Sequence, residues 1–282
     1  MEFPLTLANE VERNVLSALA EDIGGGDLTA LLTPVSRPAV GIVTSREDAV
    51  LCGTAWFDAC ILRLAPSARV HWLARDGQAI QAGQIICEIS ADTRALLTSE
   101  RTALNFLQLL SGTATQTRRY VDAISGTQAK IVDTRKTLPG LRLAQKYAVR
   151  CGGGTNHRLG LYDGILIKEN HIIAAGGITA AFNQARKLSG GSIFIQVEVE
   201  TQEELAEALD AGVTMILLDN MNLEQMRQAV GLTAGRAEIE ASGGVRLETV
   251  RAIAETGVDR ISIGVLTKDV HAIDFSLRHS EG

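Results

Sequence analysis

The sequence has few cysteines, and none of the four (Cys52, Cys60, Cys87, Cys151) stands at the paired spacing of a metal knuckle. Three of them lie in apolar surroundings, so the set is expected to stay as reduced thiols rather than form a disulfide frame. Two-histidine ligand patterns are missing too, which argues against a zinc site, and no Ser or Cys nucleophile constellation is visible. No apolar run approaches the ~18 residues of a membrane span. Met1-Glu2-Phe3-Pro4 shows no basic leader followed by an apolar segment. A cytoplasmic protein with no membrane partner is expected. Positive charge is not in excess either, since 27 Lys and Arg stand against 33 Asp and Glu. That balance excludes a general polyanion-binding surface, and no nucleic acid partner is expected. Any basic site must be local.

What is present is enough chain, 282 residues, for a barrel with a smaller companion domain, and two domains are expected. Val11, Val15, Leu16 and Leu19 recur at helical spacing, and the run breaks at Gly24-Gly25-Gly26-Asp27. That loop lacks the Lys-Ser/Thr end of a phosphate-binding P-loop and follows no strand, so a plain turn is expected. Short strands at residues 40–43, 49–51, 70–73 and 85–89 accompany an amphipathic helix over 54–64, a small α+β layer. A long helix is expected from Thr98, with Leu104, Leu107 and Leu110 on one face. Arg101 would then sit in its first turn, where the helix dipole favours acids, as either a solvated or a functional residue.

From about residue 129 the rhythm changes. Strand-like runs at 130–132, 165–167, 193–199, 215–218, 238–241 and 260–263 alternate with amphipathic helices at 179–188, 202–211, 223–230 and 247–256. Six such units predict parallel strands with helical crossovers, either an open doubly wound sheet or a (β/α) barrel. The later units are only ~20–25 residues apart, which favours the barrel. Nearly every strand runs out into polar residues or glycine: Asp133, Arg135 and Lys136; Lys168, Glu169 and Asn170; Glu198 and Glu200; Asp219 and Asn220; Glu240, Ser242, Gly243 and Gly244; Gly264. In parallel α/β folds these ends share one face, where active sites lie.

The ends divide by charge. Arg135, Lys136, His157, Arg158 and Lys168 are cationic or able to become so, while Glu198 and Asp219 arrive on later strands. Arg forks match carboxylates and phosphates in bidentate fashion, and Lys supplies a point charge. Two like charges ~4 Å apart repel by roughly 4 kcal/mol at an effective dielectric near 20, so several cations are needed where two polyanions meet. Structural pairing of these cations with Asp133, Glu169 or Glu198 is the bland alternative. For Glu198 and Asp219 the open readings are recognition of ribose hydroxyls, coordination of Mg²⁺ through water, or service as counter-charges. The glycines near Ser242 and between Ile263 and Val265 stand where barrels often bind phosphate. His71 and His171 carry less, the first as a surface or core residue, the second as either a support behind the site or a helix cap.

Three stretches together resemble quinolinate phosphoribosyltransferase, the nicotinate-nucleotide pyrophosphorylase family: Asp133-Thr134-Arg135-Lys136-Thr137-Leu138-Pro139-Gly140-Leu141-Arg142, Gly152-Gly153-Gly154-Thr155-Asn156-His157-Arg158-Leu159-Gly160-Leu161, and Leu166-Ile167-Lys168-Glu169-Asn170-His171. The likeness extends from Glu21-Asp22 and Gly26-Asp27-Leu28-Thr29, through Glu100-Arg101-Thr102-Ala103-Leu104-Asn105, to Glu240-Ala241-Ser242-Gly243-Gly244. It implies an α/β fold with an incomplete (β/α) barrel over 114–270, an N-terminal α+β domain over 1–113, and a tail, 271–282, packing on that domain. The activity implied is transfer of phosphoribosyl from phosphoribosyl pyrophosphate to quinolinate with decarboxylation, in NAD biosynthesis, with Mg²⁺. A homodimer with shared active sites is implied as well, Arg101 reaching into the partner's site. The resemblance assigns Arg135, Lys136, His157, Arg158 and Lys168 to the quinolinate carboxylates and nearby phosphates, and Thr134 is expected to bind substrate through a hydroxyl or backbone contact. Glu198 and Asp219 would hold ribose hydroxyls and metal, and Ser242, Gly243, Gly244, Ile263, Gly264 and Val265 the 5′-phosphate. Catalytic roles are implied for Lys136, Lys168, Glu198 and Asp219.

Overall fold

The computed structural model describes residues 5–33 and 37–281, so that Met1–Pro4 lies outside them. Two compact units emerge. One gathers the described residues up to Arg118 with Thr137–Gly153 and the chain from Leu266, and the other joins Arg119–Lys136 to Gly154–Val265. This is not the contiguous partition at 113 and 270, because the segment around α4 leaves the barrel span for the first unit.

In the first unit, α1 (Leu5–Ile23) is followed by a 3₁₀ turn at Ala30–Leu32 and then β1 (Pro38–Ser45), β2 (Ala49–Val50), α2 (Thr54–Leu64), β3 (Arg69–Trp72), β4 (Ala79–Ile80), β5 (Ile85–Asp92) and α3 (Thr93–Ala123). The strands β1, β5 and β3 form an antiparallel sheet whose fourth member is β12 (Phe275–Glu281), paired with β1 from Ser45↔Phe275 onward. β1 alternates between buried and half-buried positions after Pro38, the period-two signature of a sheet with one face on the core. Trp56, Phe57, Leu104, Leu107 and Leu110 lie in that core, and α4 (Arg142–Cys151) adds Ala144 and Ala148. The turn before α4 is tied down by Arg13 Nη2 and Asn14 Nδ2, which donate to the Gly140 carbonyl at 2.7 and 3.1 Å. These bonds and buried alanines explain why the 137–153 segment joins the first unit.

Two local expectations change. The α3 helix begins at Thr93, not near Thr98, because Asp92 at the end of β5 accepts from the amides of Arg94 and Ala95 at 3.0 and 3.3 Å and acts as its cap. Arg101 therefore sits exposed in the third turn, where the dipole argument has no force. The cysteines, separated in sequence, also meet in space: Cys52 and Cys151 converge with Asp76, the one such group among the described residues. Asp76 is already satisfied by protein donors, Tyr147 Oη at 2.8 Å and the Thr54 amide at 3.2 Å. The glycine-rich loop is the plain turn expected. Asp27 accepts from the amides of Ala30 and Thr29 and from the Thr98 hydroxyl, and these bonds hold its carboxyl below the usual range.

The second unit is a six-stranded parallel sheet in the order β6 (Lys130–Val132), β11 (Arg260–Ser262), β10 (Glu238–Ser242), β9 (Met215–Asp219), β8 (Phe194–Val199), β7 (Gly164–Ile167). Its helices are α5 (Glu169–Ala175), α6 (Ile178–Ser189), α7 (Gln202–Asp210), α8 (Leu223–Thr233) and α9 (Leu247–Ala254), with the short α10 (Val265–Lys268) following β11. Successive strands in the chain lie side by side from β7 to β11, while β6 and β7 end the order at opposite edges, as in an incomplete barrel. Two of these helices, α7 and α8, start on a sequence-encoded side-chain cap. Thr201 Oγ1 accepts from the Glu204 amide at 3.1 Å, and Asn222 Oδ1 accepts from the amides of Glu224 and Gln225, both at 3.0 Å. These caps fix where β8 and β9 stop and their polar ends begin.

Candidate active site

The end of β6 organises the cationic side. Asp133 is fully buried, and its carboxylate accepts from Asn156 Nδ2 at 2.6 Å and from the His157 amide at 2.8 Å. The Thr155 amide donates to the Ile131 carbonyl at 2.8 Å, and Val132 bridges Thr155 in parallel fashion. The 155–158 loop is thus laid along β6 as an added strand, with Asp133 as its anchor. Further along, Asp163 accepts from the amides of Leu159 and Gly160 at 2.7 and 2.9 Å. Arg158 emerges between these two anchors, with Nη1 donating to the Gly164 carbonyl at 3.1 Å.

Arg158 and Arg135 lie near enough to feel one another's charge. Burial, and then the charge of Arg135, push the Arg158 guanidinium below its ordinary value. The Nε of Arg135 is itself buried without a hydrogen-bond partner. Two half-buried guanidiniums side by side, one with an unsatisfied donor, are the arrangement that an anion would complete. Lys136 is exposed and lies over Gly264: a Cβ there would fall 3.1 Å from Lys136 Cδ and 3.9 Å from Nζ. The Thr134 hydroxyl accepts from the Lys136 amide at 3.0 Å and lies on the same side of Gly264. These contacts bring Thr134, Arg135 and Lys136 together with Arg158 and the turn after β11.

His157 behaves differently. Its side chain is only 8% exposed, Nδ1 accepts from the Arg158 amide at 2.7 Å, and Nε2 meets Gln196 Oε1 at 2.7 Å. Each ring nitrogen has one bond to give or take, so neither is left to reach a ligand. The imidazole points into the barrel, not out with the other cations.

On the acidic side Lys168 Nζ stands 2.5 Å from Glu198 Oε2, across the ends of β7 and β8. Lys168 is thus ion-paired with Glu198, a cation and an acid that the sequence both singled out. His171, at the start of α5, accepts from the Lys168 amide at 3.0 Å and is the helix cap foreseen. Asp219 Oδ2 accepts from Asn220 Nδ2 at 2.9 Å. Glu200 is raised above the ordinary carboxylate range by desolvation and by Glu169, Asp219, Glu204 and Glu198 around it. The next turn locks onto this one. Asn220, at φ 54°, donates its amide to the Ser242 carbonyl at 3.0 Å, and a Cβ on Gly243 (φ 103°) would meet Asn220 Oδ1 at 2.1 Å. Only glycine fits there. Gly244 (φ 58°) continues the turn, and the buried Ile263 donates its amide to the Val132 carbonyl at 2.9 Å, which holds the Ile263–Val265 turn against β6.

Sequence reasoning did not find Gln196, noted Asn220 and Glu200 only as polar strand-end residues, and took Glu240 for a strand-end group. The signal for Gln196 was available, as a lone amide inside the apolar run 193–199. Glu240 is 1% exposed, inside β10, beside Arg260 on β11.

The comparisons with known proteins cover nearly the whole chain. The family model described as quinolinate phosphoribosyl transferase, C-terminal domain, matches residues 113–278, and that of the N-terminal domain matches 27–111. The chain belongs to this family. Among quinolinate phosphoribosyl transferase relatives, the Bacillus subtilis (strain 168) protein called "Probable nicotinate-nucleotide pyrophosphorylase (carboxylating)" is 42% identical over 257 residues, 91% of this chain and 89% of its own. A tobacco (Nicotiana tabacum) relative, quinolinate phosphoribosyltransferase (decarboxylating) 2b, mitochondrial, is 40% identical over 93% of this chain and 80% of its own. The solved structure of the nicotinate-nucleotide pyrophosphorylase from Francisella tularensis superimposes with a TM-score of 0.95 at 44% identity, covering 99% of this chain and 98% of that one. A family member with this architecture is expected to build its site from strand ends, where the charged residues above are found.

Proposed function

We propose that this protein transfers phosphoribosyl from phosphoribosyl pyrophosphate to quinolinate with loss of CO₂, giving nicotinate mononucleotide and pyrophosphate in NAD biosynthesis. The observation that carries the reading is the pairing of Arg135 and Arg158, with a buried unsatisfied Nε, in a barrel unit whose later strand ends gather the carboxylates Glu198, Glu200 and Asp219. Quinolinate brings two carboxylates, which match the Arg forks, while phosphoribosyl pyrophosphate brings phosphates for Lys136, Lys168 and the turns at Ser242–Gly244 and Ile263–Val265. Glu198 and Asp219 then face the ribose hydroxyls.

Chemistry follows from placement. Breaking the C1′–pyrophosphate bond leaves an oxocarbenium-like sugar, which nearby carboxylates stabilise while the cations take the charge of the leaving pyrophosphate. The pyridine nitrogen attacks with its own lone pair, so no general base is required, only a fixed approach. The resulting pyridinium accepts the electron pair of the C2–carboxylate bond as CO₂ departs, and a proton then takes its place at C2. The C2 carboxylate must be held without excess ground-state stabilisation, since uniform binding does not speed the step. Lys168, which bonds Glu198 in this structure, is suited to exchange that partner for a substrate anion.

Mg²⁺ fits this donor set. Glu198, Glu200 and Asp219 offer hard oxygen ligands, and among the described residues no three of them converge within 4.8 Å. Such a site takes a cation through one or two protein oxygens, with substrate phosphates and water completing the shell. When bound, the cation neutralises charge on the pyrophosphate.

The deciding assay measures CO₂ release and nicotinate mononucleotide with quinolinate, phosphoribosyl pyrophosphate and Mg²⁺, against nicotinate as the alternative acid. Turnover with quinolinate is expected; product from nicotinate alone would make the protein a related transferase, and no product from either would end the reading. The protein also acts as a homodimer in the cytoplasm, where its four buried free thiols stay reduced, with Arg101 of one chain serving its partner's site. Mixing inactive Arg101→Ala and Lys136→Ala proteins under exchange conditions is expected to restore part of the activity. No recovery would place Arg101 in its own chain's service.

A further inference from the structure

We infer that Gln196 and Glu240, buried inside the barrel unit, are positioning residues that fix one tautomer of His157 and, through it, the placement of Arg158. This deepens the reading above and rests on it for its kinetic part alone. The hydrogen bonds can be assigned outward from one atom of known role. The Arg158 amide donates to His157 Nδ1 at 2.7 Å, and a backbone N–H can only donate. Nδ1 is therefore the bare nitrogen, and the ring proton is on Nε2. Nε2 lies 2.7 Å from the side chain of Gln196, so the Gln196 atom it meets must be the oxygen. That leaves the Gln196 amide nitrogen to donate to Glu240 Oε2, at 3.2 Å. The usual ambiguity of imidazole and amide orientation is removed by the direction of the first bond.

Glu240 ends the chain. It is 1% exposed, and Arg260 Nε stands 3.1 Å from its Oε2, close enough for an ion pair although the geometry is not that of an aligned hydrogen bond. Glu240 and Arg260 are register partners on β10 and β11, and Gln196 comes from β8, so the chain spans four strands. Burying a carboxylate and an amide in a barrel interior is costly unless each is bonded. Glu240 meets that cost through Oε2, which takes both the Gln196 amide and the Arg260 charge, while its Oε1 has no hydrogen-bond partner. Here the donation runs one way: backbone amide to imidazole, imidazole to amide, amide to carboxylate. The Phe194 ring, 5.5 Å from the imidazole centroid and tilted by 70°, limits the ring plane. The backbone of His157 is separately held by Asp133 at 2.8 Å.

The consequence lands on the next residue. Arg158 must stay beside Arg135 although the two cations repel, and its amide is held by the His157 ring. A flipped tautomer would set an N–H against the Arg158 N–H and release that end of the loop. Gln196 and Glu240 touch no substrate in this account. They bias the ring toward the tautomer that keeps Arg158 aimed at a carboxylate.

The first test needs no substrate. In protein labelled with ¹⁵N at histidine, long-range proton–nitrogen spectra at pH 8 are expected to show His157, identified by its loss in His157→Gln, as the Nε2–H tautomer. Gln196→Met should convert it to a mixture, while Glu240→Gln, which keeps an acceptor oxygen, should retain it. The second test is kinetic. Gln196→Met is expected to raise KM for quinolinate by about three- to tenfold, the loss of one hydrogen bond, with KM for phosphoribosyl pyrophosphate unchanged. An Nδ1–H or averaged His157 signal in the wild type would overturn the inference whatever the substrate proves to be. Equal rises in both KM values would also overturn it, by reducing Gln196 to a general stabilising role. Where Gln196→Met fails to fold, the wild-type and Glu240→Gln spectra still decide.

Discussion

Arg135→Ala is expected to lower kcat/KM for quinolinate by about 10²–10⁴-fold, from the loss of two charge-assisted hydrogen bonds at roughly 1.5–3 kcal/mol each. The size of the effect follows from what surrounds the side chain. Its Nε is buried without a partner, so the protein itself gives that donor no compensation. Removing the guanidinium also relieves Arg158 of a like charge, so the variant should fold at least as well as the wild type while losing the site. Arg135→Lys is expected to recover little, because an ammonium cannot form the planar fork. Steady-state kinetics with both substrates varied, alongside a urea titration, separates these effects. Near-normal efficiency in a folded Arg135→Ala protein would remove this residue from the anion site.

Gly243→Ala is expected to act on the other substrate, with KM for phosphoribosyl pyrophosphate rising and kcat falling for a combined loss of about 10²-fold. The added Cβ would meet Asn220 Oδ1 at 2.1 Å and the Asn220 amide nitrogen at 3.0 Å. At φ 103° the alanine would also be strained on its own account, by about 1–3 kcal/mol. The turn can relieve both only by moving, and Asn220 would move with it, taking along Asp219, which it bonds at 2.9 Å. Gly244→Ala offers a useful comparison, since a Cβ there meets nothing within 4 Å although φ is 58°. A smaller loss is expected from strain alone. If Gly243→Ala binds phosphoribosyl pyrophosphate as tightly as the wild type in calorimetry, the turn does not hold the phosphate.

The parallel strands were legible because each is a short apolar run closed by polar or glycine residues, and burial of both sheet faces demands that pattern. The same pattern located Arg135, Lys136, Lys168, Glu198 and Asp219. What escaped was information that exists only in three dimensions. The start of α3 was hidden because Asp92 ends a strand and caps a helix at once. The helix α4 was missed because it buries Gln145 and Lys146 along with its alanines, which blurs the apolar stripe. Phe275 and Leu277 did alternate with polar neighbours, but a strand at the end of the chain declares nothing about its partner. Likewise His157, read as one more cation, gave no sign that its ring would be turned inward by Gln196.

The pairing of β12 with β1 sets an order for making the protein. Its contacts join Ser45 to Phe275, so the sheet of the first unit cannot be completed until residues 275–281 have left the ribosome. The second unit, whose residues all precede Leu266, has its full set of strands before that moment. A nascent chain released early, or trimmed at its C-terminus, would keep the barrel strands and leave β1 with an exposed edge, open to pairing with another chain. Such closure of distant segments is slow relative to local helix formation. The emergence of β12 is therefore the step on which the protection of the β1 edge depends.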